Sequence, residues 1–125
     1  MKRIINTLNA PAPIGPYSQA VLINGVLYAS GQIAINPATG NLVDESIEEE
    51  THQVMKNIKA VLTEAEMDFG HVIKVSIFLS DMNFFAKVNE IYGQYFNGDY
   101  PARETLAVKT LPKNVNVEIS VTAIF

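Results

Sequence analysis

Val115-Asn116-Val117-Glu118-Ile119-Ser120-Val121-Thr122-Ala123-Ile124 is the stretch on which the fold turns. Side chains along a strand alternate between its two faces. Val115, Val117, Ile119, Val121 and Ala123 therefore line one face, and Asn116, Glu118, Ser120, Thr122 and Ile124 line the other. The alternation sets up a sheet with one fully apolar face and one mostly polar face. Upstream, residues 103–111 form a second predicted strand, joined to the first through Pro112-Lys113-Asn114, with Arg103, Thr105, Ala107 and Lys109 on a common side. If these two strands pair so that their apolar faces match, Arg103 and Glu118 point to the same, helix-free face.

Further upstream, residues 72–80 form another strand. Its alternation places Ile73, Val75, Ile77 and Leu79 on one face, and Lys74 and Ser76 on the other with Val72 and Phe78. A second helix follows Asp81 as N-cap and carries Phe85, Val88, Tyr92, Tyr95 and Phe96. It stops at Asn97-Gly98 ahead of Pro101. The first helix begins at Ser46, which with Glu49 makes a capping box. Glu48, Glu49 and Glu50 stand at the positive end of its dipole. Ile47, Val54, Ile58, Val61, Leu62 and Ala65 recur at helical spacing as its core stripe, with Gln53, Lys56, Asn57 and Lys59 largely outside it.

Ala20-Val21-Leu22-Ile23 and Val26-Leu27-Tyr28-Ala29 flank Asn24-Gly25, the favoured pair for a type I′ hairpin turn. Residues 9–17, with Pro11, Pro13, Gly15 and Pro16, must be irregular and extended. The order is thus β-ββ-α-β-α-ββ, a single domain over residues 1–125. Two helices cover one face of such a sheet. The uncovered face mixes polar residues with bulky ones such as Phe78 and Val72, which suggests a homo-oligomeric interface with polar pockets.

A chain of 125 residues buries roughly two-thirds of its unfolded surface, enough for one core. It has no apolar run long enough for a membrane helix, and its N-terminal residues lack the apolar region of a signal peptide. The absence of cysteine removes disulfides and thiol nucleophiles and suits a cytoplasmic location. The net charge is −4 and the cations are scattered, so no basic patch for nucleic acid is expected.

Most catalytic constellations are missing. His52 and His71 form no metal-binding pattern, and there is no GxSxG elbow, P-loop or GxGxxG. What remains is Arg103, Glu118 and the small polar residues Tyr17, Ser30, Asn89 and Thr105. A guanidinium holds a carboxylate by two parallel hydrogen bonds, and a carboxylate placed mid-strand can hold and activate water. The pair fits a small anionic substrate attacked by water, such as an imine, whose carbon needs only a positioned water and a proton shuttle. A neighbouring Arg103 should favour ionised Glu118. The same pattern is compatible with two solvated charges on an open strand.

Five ordered anchors then carry a resemblance that covers essentially the whole chain. They are Gly15-Pro16-Tyr17-Ser18-Gln19-Ala20; Ser30-Gly31-Gln32-Ile33; Val88-Asn89; Pro101-Ala102-Arg103; and Leu111-Pro112-Lys113 with Val117-Glu118-Ile119. In these the chain resembles the RidA (YjgF-type) family of reactive-intermediate imine/enamine deaminases. The resemblance implies a chorismate-mutase-like α+β domain with a mixed six-stranded sheet and two helices on one face. It also implies a homotrimer with clefts between subunits, and no cofactor. The implied activity is hydrolysis of 2-imino acids and enamines such as 2-aminoacrylate, which leak from pyridoxal-phosphate enzymes, to 2-keto acids and ammonia.

By position, Arg103 corresponds to the carboxylate anchor and Glu118 to the residue that positions water and moves protons. Tyr17, Ser30, Gly31 and Asn89 correspond to cleft or substrate-contacting positions. Thr105 departs from the cysteine that many members carry two residues after the arginine, which leaves any thiol-dependent behaviour without its group. A backbone carbonyl there would still hold the water. A non-catalytic small-carboxylate-binding module or metabolite sensor is the alternative that the same residues allow.

Overall fold

In the computed structural model, which describes residues 1–125, Asn24 and Gly25 take φ values of 51° and 78° and turn the chain as a type I′ pair requires. The turn joins β2 (Ala20–Ile23) to β3 (Val26–Ala29). The other strands are β1 (Arg3–Ile5), β4 (Val72–Leu79), β5 (Ala102–Ala107) and β6 (Val117–Ile124). The helices are α1 (Ile47–Glu64) and α2 (Phe85–Gly93). All six strands form one sheet in the order β1-β2-β3-β6-β4-β5, antiparallel except for β4 and β5. The two helices pack on one face, giving the α+β architecture expected.

The alternation in β6 is realised in full. Val117, Ile119, Val121 and Ala123 are buried against α1 and α2, while Glu118, Ser120 and Thr122 are half-buried on the other side. Val54, Ile58, Val61, Leu62 and Ala65 of the α1 stripe are all buried in the same core. The helix-free face keeps several large apolar groups in the open: Ile4, Tyr28, Leu106 and Ile124 are between 39% and 55% exposed. Beside them Glu104 accepts a hydrogen bond from Ser76 and lies 2.9 Å from the Lys74 ammonium. Those two partners hold its carboxyl below the usual range.

Several local expectations need correction. β5 and β6 do not pair, because β4 lies between them. A strand–helix–strand unit returns parallel to its first strand, so β5 adds to one edge of β4 and β6 returns antiparallel along the other. β4 carries a bulge between Val72 and Lys74. The extra residue reverses the alternation there, burying Val72 and leaving Ile73 48% exposed. Ser46 caps α1 by accepting from the Glu49 N–H, but the reciprocal half of the box is absent. The complete capping box is at Asp68 and His71, on a 3₁₀ turn ahead of β4.

Asp81 also caps a 3₁₀ turn, Met82–Phe84, and α2 starts only after it. The helix ends at Gly93, short of Tyr95 and Phe96, which pack beyond its C-terminus. Asn57 lies inside the core rather than outside the stripe. Its amide donates to the carbonyls of Ile33 (3.0 Å) and Ile35 (2.9 Å), so burial costs it no hydrogen bond. No helix is long and apolar enough to cross a membrane.

Candidate functional site

The register decides where the two key charges go. Residues directly opposite one another in a ladder share a face. Arg103 is opposite Val75, a core-side residue, and Glu118 is opposite Phe78. Val75 and Phe78 are separated by an odd number of positions and point to opposite faces. Arg103 therefore lies on the helix-bearing side and Glu118 on the helix-free side. The expectation that both share the helix-free face fails, because it assumed that their strands pair directly. The structure brings the predicted residues together as two groups.

The first group is built by α2 and β5. Phe85, Asn89 and Tyr92 recur at helical spacing and present one face toward the sheet edge. Arg103 Nη1 donates to Asn89 Oδ1 at 2.6 Å. Its guanidinium carbon lies 5.6 Å from the Phe85 ring centre and 5.3 Å from that of Tyr92. Such stacking holds a cation by its attraction to the ring faces and leaves its in-plane N–H groups free to donate. The guanidinium borders a groove of about 710 Å³ that is also lined by Gln94, Tyr100 and Pro101. Burial pushes the Tyr92 hydroxyl up to about 12, with the Arg103 charge acting the other way, so it is a neutral donor at physiological pH. Thr105 shares this side of β5, opposite Ile77, and its hydroxyl is buried without a partner.

The second group surrounds Glu118. A Cβ at Gly31 would lie 2.9 Å from the Glu118 carboxyl carbon and closer still to Oε2, so a side chain there would displace the carboxylate from its present place. Tyr17, Ser30, Gly31, Lys113 and Glu118 line a cavity of about 420 Å³ with Ile14. Ser30 spends its hydroxyl hydrogen on the Ser18 carbonyl at 2.6 Å and offers the cavity an acceptor. Gln19 fixes the proline-rich segment behind Tyr17. Its fully buried amide accepts from Thr7 N–H at 2.7 Å and donates to the carbonyls of Thr7, Ala10 and Pro11. Lys113 and Asn114 both hold φ of 56°, an unusual conformation for residues with side chains, at the cavity's rim. Burial raises the proton affinity of Glu118 above that of an ordinary carboxylate. Arg103 is not among the causes, which corrects the expected stabilisation of the ionised form.

Two residues that matter to this geometry went unread in the sequence. Gln19 was quoted only as part of a motif, and Glu50 only as a first-turn acid. Glu50 is fully buried. It accepts hydrogen bonds from Asn116 N (2.8 Å), Asn116 Nδ2 (2.9 Å) and Val117 N (3.1 Å), reaching from the first turn of α1 to the start of β6. Three consecutive acids at a helix start gave no sign that one turns inward. No three His, Cys, Asp or Glu side chains converge in a manner that would hold a metal ion.

Comparison with known proteins gives a consistent result. The family model described as endoribonuclease L-PSP matches residues 7–125. A Lactococcus lactis subsp. lactis protein named "Putative regulator AldR" is 53% identical over 121 residues, covering 97% of this chain and 96% of that protein. The Homo sapiens 2-iminobutanoate/2-iminopropanoate deaminase is 46% identical over 124 residues, covering 99% of this chain and 90% of the enzyme. The crystal structure of YyfA from Yersinia pestis, described as a protein of unknown function of the conserved Rid family, superposes with a TM-score of 0.97. It is 52% identical and each chain is covered completely.

Proposed function

The chain belongs to the YjgF/RidA family, the group whose model is described as endoribonuclease L-PSP, and from that premise we propose that it hydrolyses 2-imino acids and their enamine tautomers, such as 2-aminoacrylate, to 2-keto acids and ammonia. The observation that carries this reading is the Glu118 cavity. A carboxylate of raised proton affinity faces a small polar chamber beside a glycine where any side chain would push the carboxylate aside. A carboxylate that takes up a proton more readily than an ordinary one suits a group that must accept and return a proton during water attack. The human deaminase, 46% identical, supports the same chemistry.

Imine and water combine as R–C(=NH)–COO⁻ + H₂O → R–C(=O)–COO⁻ + NH₃. Ionised Glu118 takes a proton as the water oxygen bonds to C2. The C=N π pair moves to nitrogen, which receives that proton from Glu118 to give a carbinolamine. Glu118 then takes the carbinolamine hydroxyl proton as the C=O bond forms and passes it to the nitrogen, the C–N bond breaks, and ammonia leaves. An enamine enters the sequence after protonation at C3. Arg103 holds the substrate carboxylate by its free N–H groups, and Asn89 with the two rings keeps the guanidinium from swinging away. No cofactor takes part, and the cytoplasm is the proposed location.

A 2-imino acid is too short for its carboxylate and its C2 to touch opposite faces of one sheet. The reading therefore needs a composite cleft, with Arg103 of one copy meeting Glu118 of another. A homotrimer supplies three such clefts, and the apolar residues on the helix-free face favour such a covering. Mixed assembly tests this. Arg103→Ala and Glu118→Gln each lose turnover alone, and recover part of it when unfolded and refolded together, because mixed clefts hold one intact pair. The assay generates imino acid with an amino-acid oxidase and traps it with semicarbazide, and hydrolysis appears as lost semicarbazone. No loss of semicarbazone with the unmodified protein would defeat the deaminase reading, and no recovery on mixing would defeat the composite cleft.

The name carried by the 53%-identical relative supports a second reading, a regulator that binds a small carboxylate at the same Arg103 group without turnover. Saturable binding of a 2-keto acid with no imine hydrolysis would establish it. Cleavage of RNA has less support, since the acidic chain has no clustered cations to take phosphates.

A further inference from the structure

We propose that Glu50 is a positioning residue for the hydrolytic step, setting the place of the Glu118 carboxylate by clamping the entry of β6. The inference rests on the reading of Glu118 as the water-activating group. Three facts carry it. Glu50 is fully buried, and an ionised side chain is rarely buried unless its lone pairs are satisfied. Its two oxygens are satisfied by three donors that all belong to Asn116 and Val117. Glu118 is the next residue. The core of α1 would be served by an aliphatic side chain at position 50, so a carboxylate there is specific to the strand entry.

The clamp has a second arm. Asn116 Oδ1 accepts from Ser80 Oγ at 3.0 Å, and the Asn116 carbonyl accepts from Ser80 N at 3.0 Å. Helix α1, the entry of β6 and the end of β4 are thus tied at one residue. Opposite them the Glu118 carboxylate lies close to Gly31, where an added Cβ would meet it. A strand entry displaced by a fraction of an ångström has to move the Glu118 carboxylate toward Gly31 or away from the cavity. The other ionisable groups about the carboxyl are Tyr17 and Lys113 in its cavity, with the Lys74–Glu104 pair farther along the same face. None of them touches Glu50.

The donor pattern supplies a conservative control. In Glu50→Gln the amide oxygen can still accept both backbone N–H groups. Its NH₂ then meets Asn116, whose amide can flip and whose new outward NH₂ is accepted by the Ser80 hydroxyl. Glu50→Gln should therefore keep the clamp and lose only the charge. Glu50→Leu fills the same space without accepting, and Glu50→Asp keeps the charge but shortens the reach.

The test combines turnover of imino acid with a ¹³C NMR titration of the Glu118 carboxyl, assigned by its loss in Glu118→Gln. Folding and assembly are checked by circular dichroism and light scattering. Glu50→Leu and Glu50→Asp should lower kcat on the order of 10- to 100-fold, the scale for a displaced catalytic group, with KM nearly unchanged. Both should move the Glu118 titration midpoint, and Glu50→Gln should restore both readouts. If Glu50→Leu fails to fold, Glu50→Asp and Glu50→Gln decide the matter alone. An unmoved Glu118 midpoint in the folded Glu50→Asp protein overturns the proposal, and so does a moved midpoint in Glu50→Gln, since that variant keeps the clamp and the effect is then one of charge. Because the titration needs no turnover, a protein that hydrolyses no imine defeats the parent reading of Glu118 and leaves the clamp to be judged by the midpoint.

Discussion

The Arg103 group and the Glu118 group solve different problems with different materials. Arg103 sits on the outermost strand of the sheet, and the amide and two rings that hold its guanidinium are side chains of α2. Its charge does not depend on pH, so it can stand in the open and needs only to be aimed. Glu118 sits on an interior strand, against the backbone of Gly31 and one residue from a clamped backbone segment. In the proposed reaction its charge state is what it contributes, and burial raises its proton affinity. In the proposed reading the anchor is held by side chains that can be exchanged one at a time, whereas the proton shuttle is held by main chain.

Arg103→Ala should break the anchor most completely. Losing two charge-assisted hydrogen bonds costs about 3–5 kcal/mol, roughly a thousandfold in kcat/KM. Steady-state kinetics that stay within tenfold of the unmodified protein would end the anchor role. Gly31→Ala probes the other side. The added methyl should push the Glu118 carboxylate out of place and reduce kcat on the order of a hundredfold, while binding of a 2-keto acid at Arg103 persists in calorimetry. Loss of binding instead of kcat would mean that Gly31 serves the anchor.

pH separates the two sides further. The folded protein holds the Glu118 proton more tightly than the unfolded chain does. Stability contributed by this group is therefore complete below the ordinary carboxylate range and falls as pH rises to the raised value. Glu118→Gln should lose turnover yet melt higher than the unmodified protein at pH 7. That difference should vanish below about pH 4, where the unfolded carboxyl is also protonated. In the unmodified protein kcat should rise with pH through a midpoint above the usual carboxylate range, while KM follows Arg103 and stays flat. A variant that melts lower at pH 7 would contradict the burial cost.

Thr105→Ala should have the smallest effect. Its hydroxyl has no partner to lose, and a substantial part of the activity should remain. Complete loss in a folded protein would assign the hydroxyl a chemical role.

Much of this architecture was legible because it is local. The alternation of 115–124, the Asn24-Gly25 turn and the α1 stripe each depend on residues within a few positions of one another. The anchors around Tyr17, Ser30, Gly31, Asn89, Arg103 and Glu118 identified the family, and the residues do gather, but as two groups instead of one. What failed was long-range. Strands adjacent in sequence were expected to pair, and the crossover through α2 placed β4 between them. The bulge at Val72–Lys74 left no mark in a run of alternating residues. Gln19, Glu50 and Asn57 look like surface residues in composition, and their partners are main-chain groups from distant segments.

The Glu50–Asn116 contact joins residues 66 positions apart. Closing so large a loop is slow relative to forming a hairpin or a helix, because the chain entropy is lost before the contact is made. Both the hairpin and α1 can be in place on a nascent chain that has yet to emerge past residue 100. The Glu118 carboxylate acquires its address only when the last strand arrives. In the proposed reaction competence therefore waits first on the last strand and then on a second copy, and a chain without that strand carries no poised Glu118.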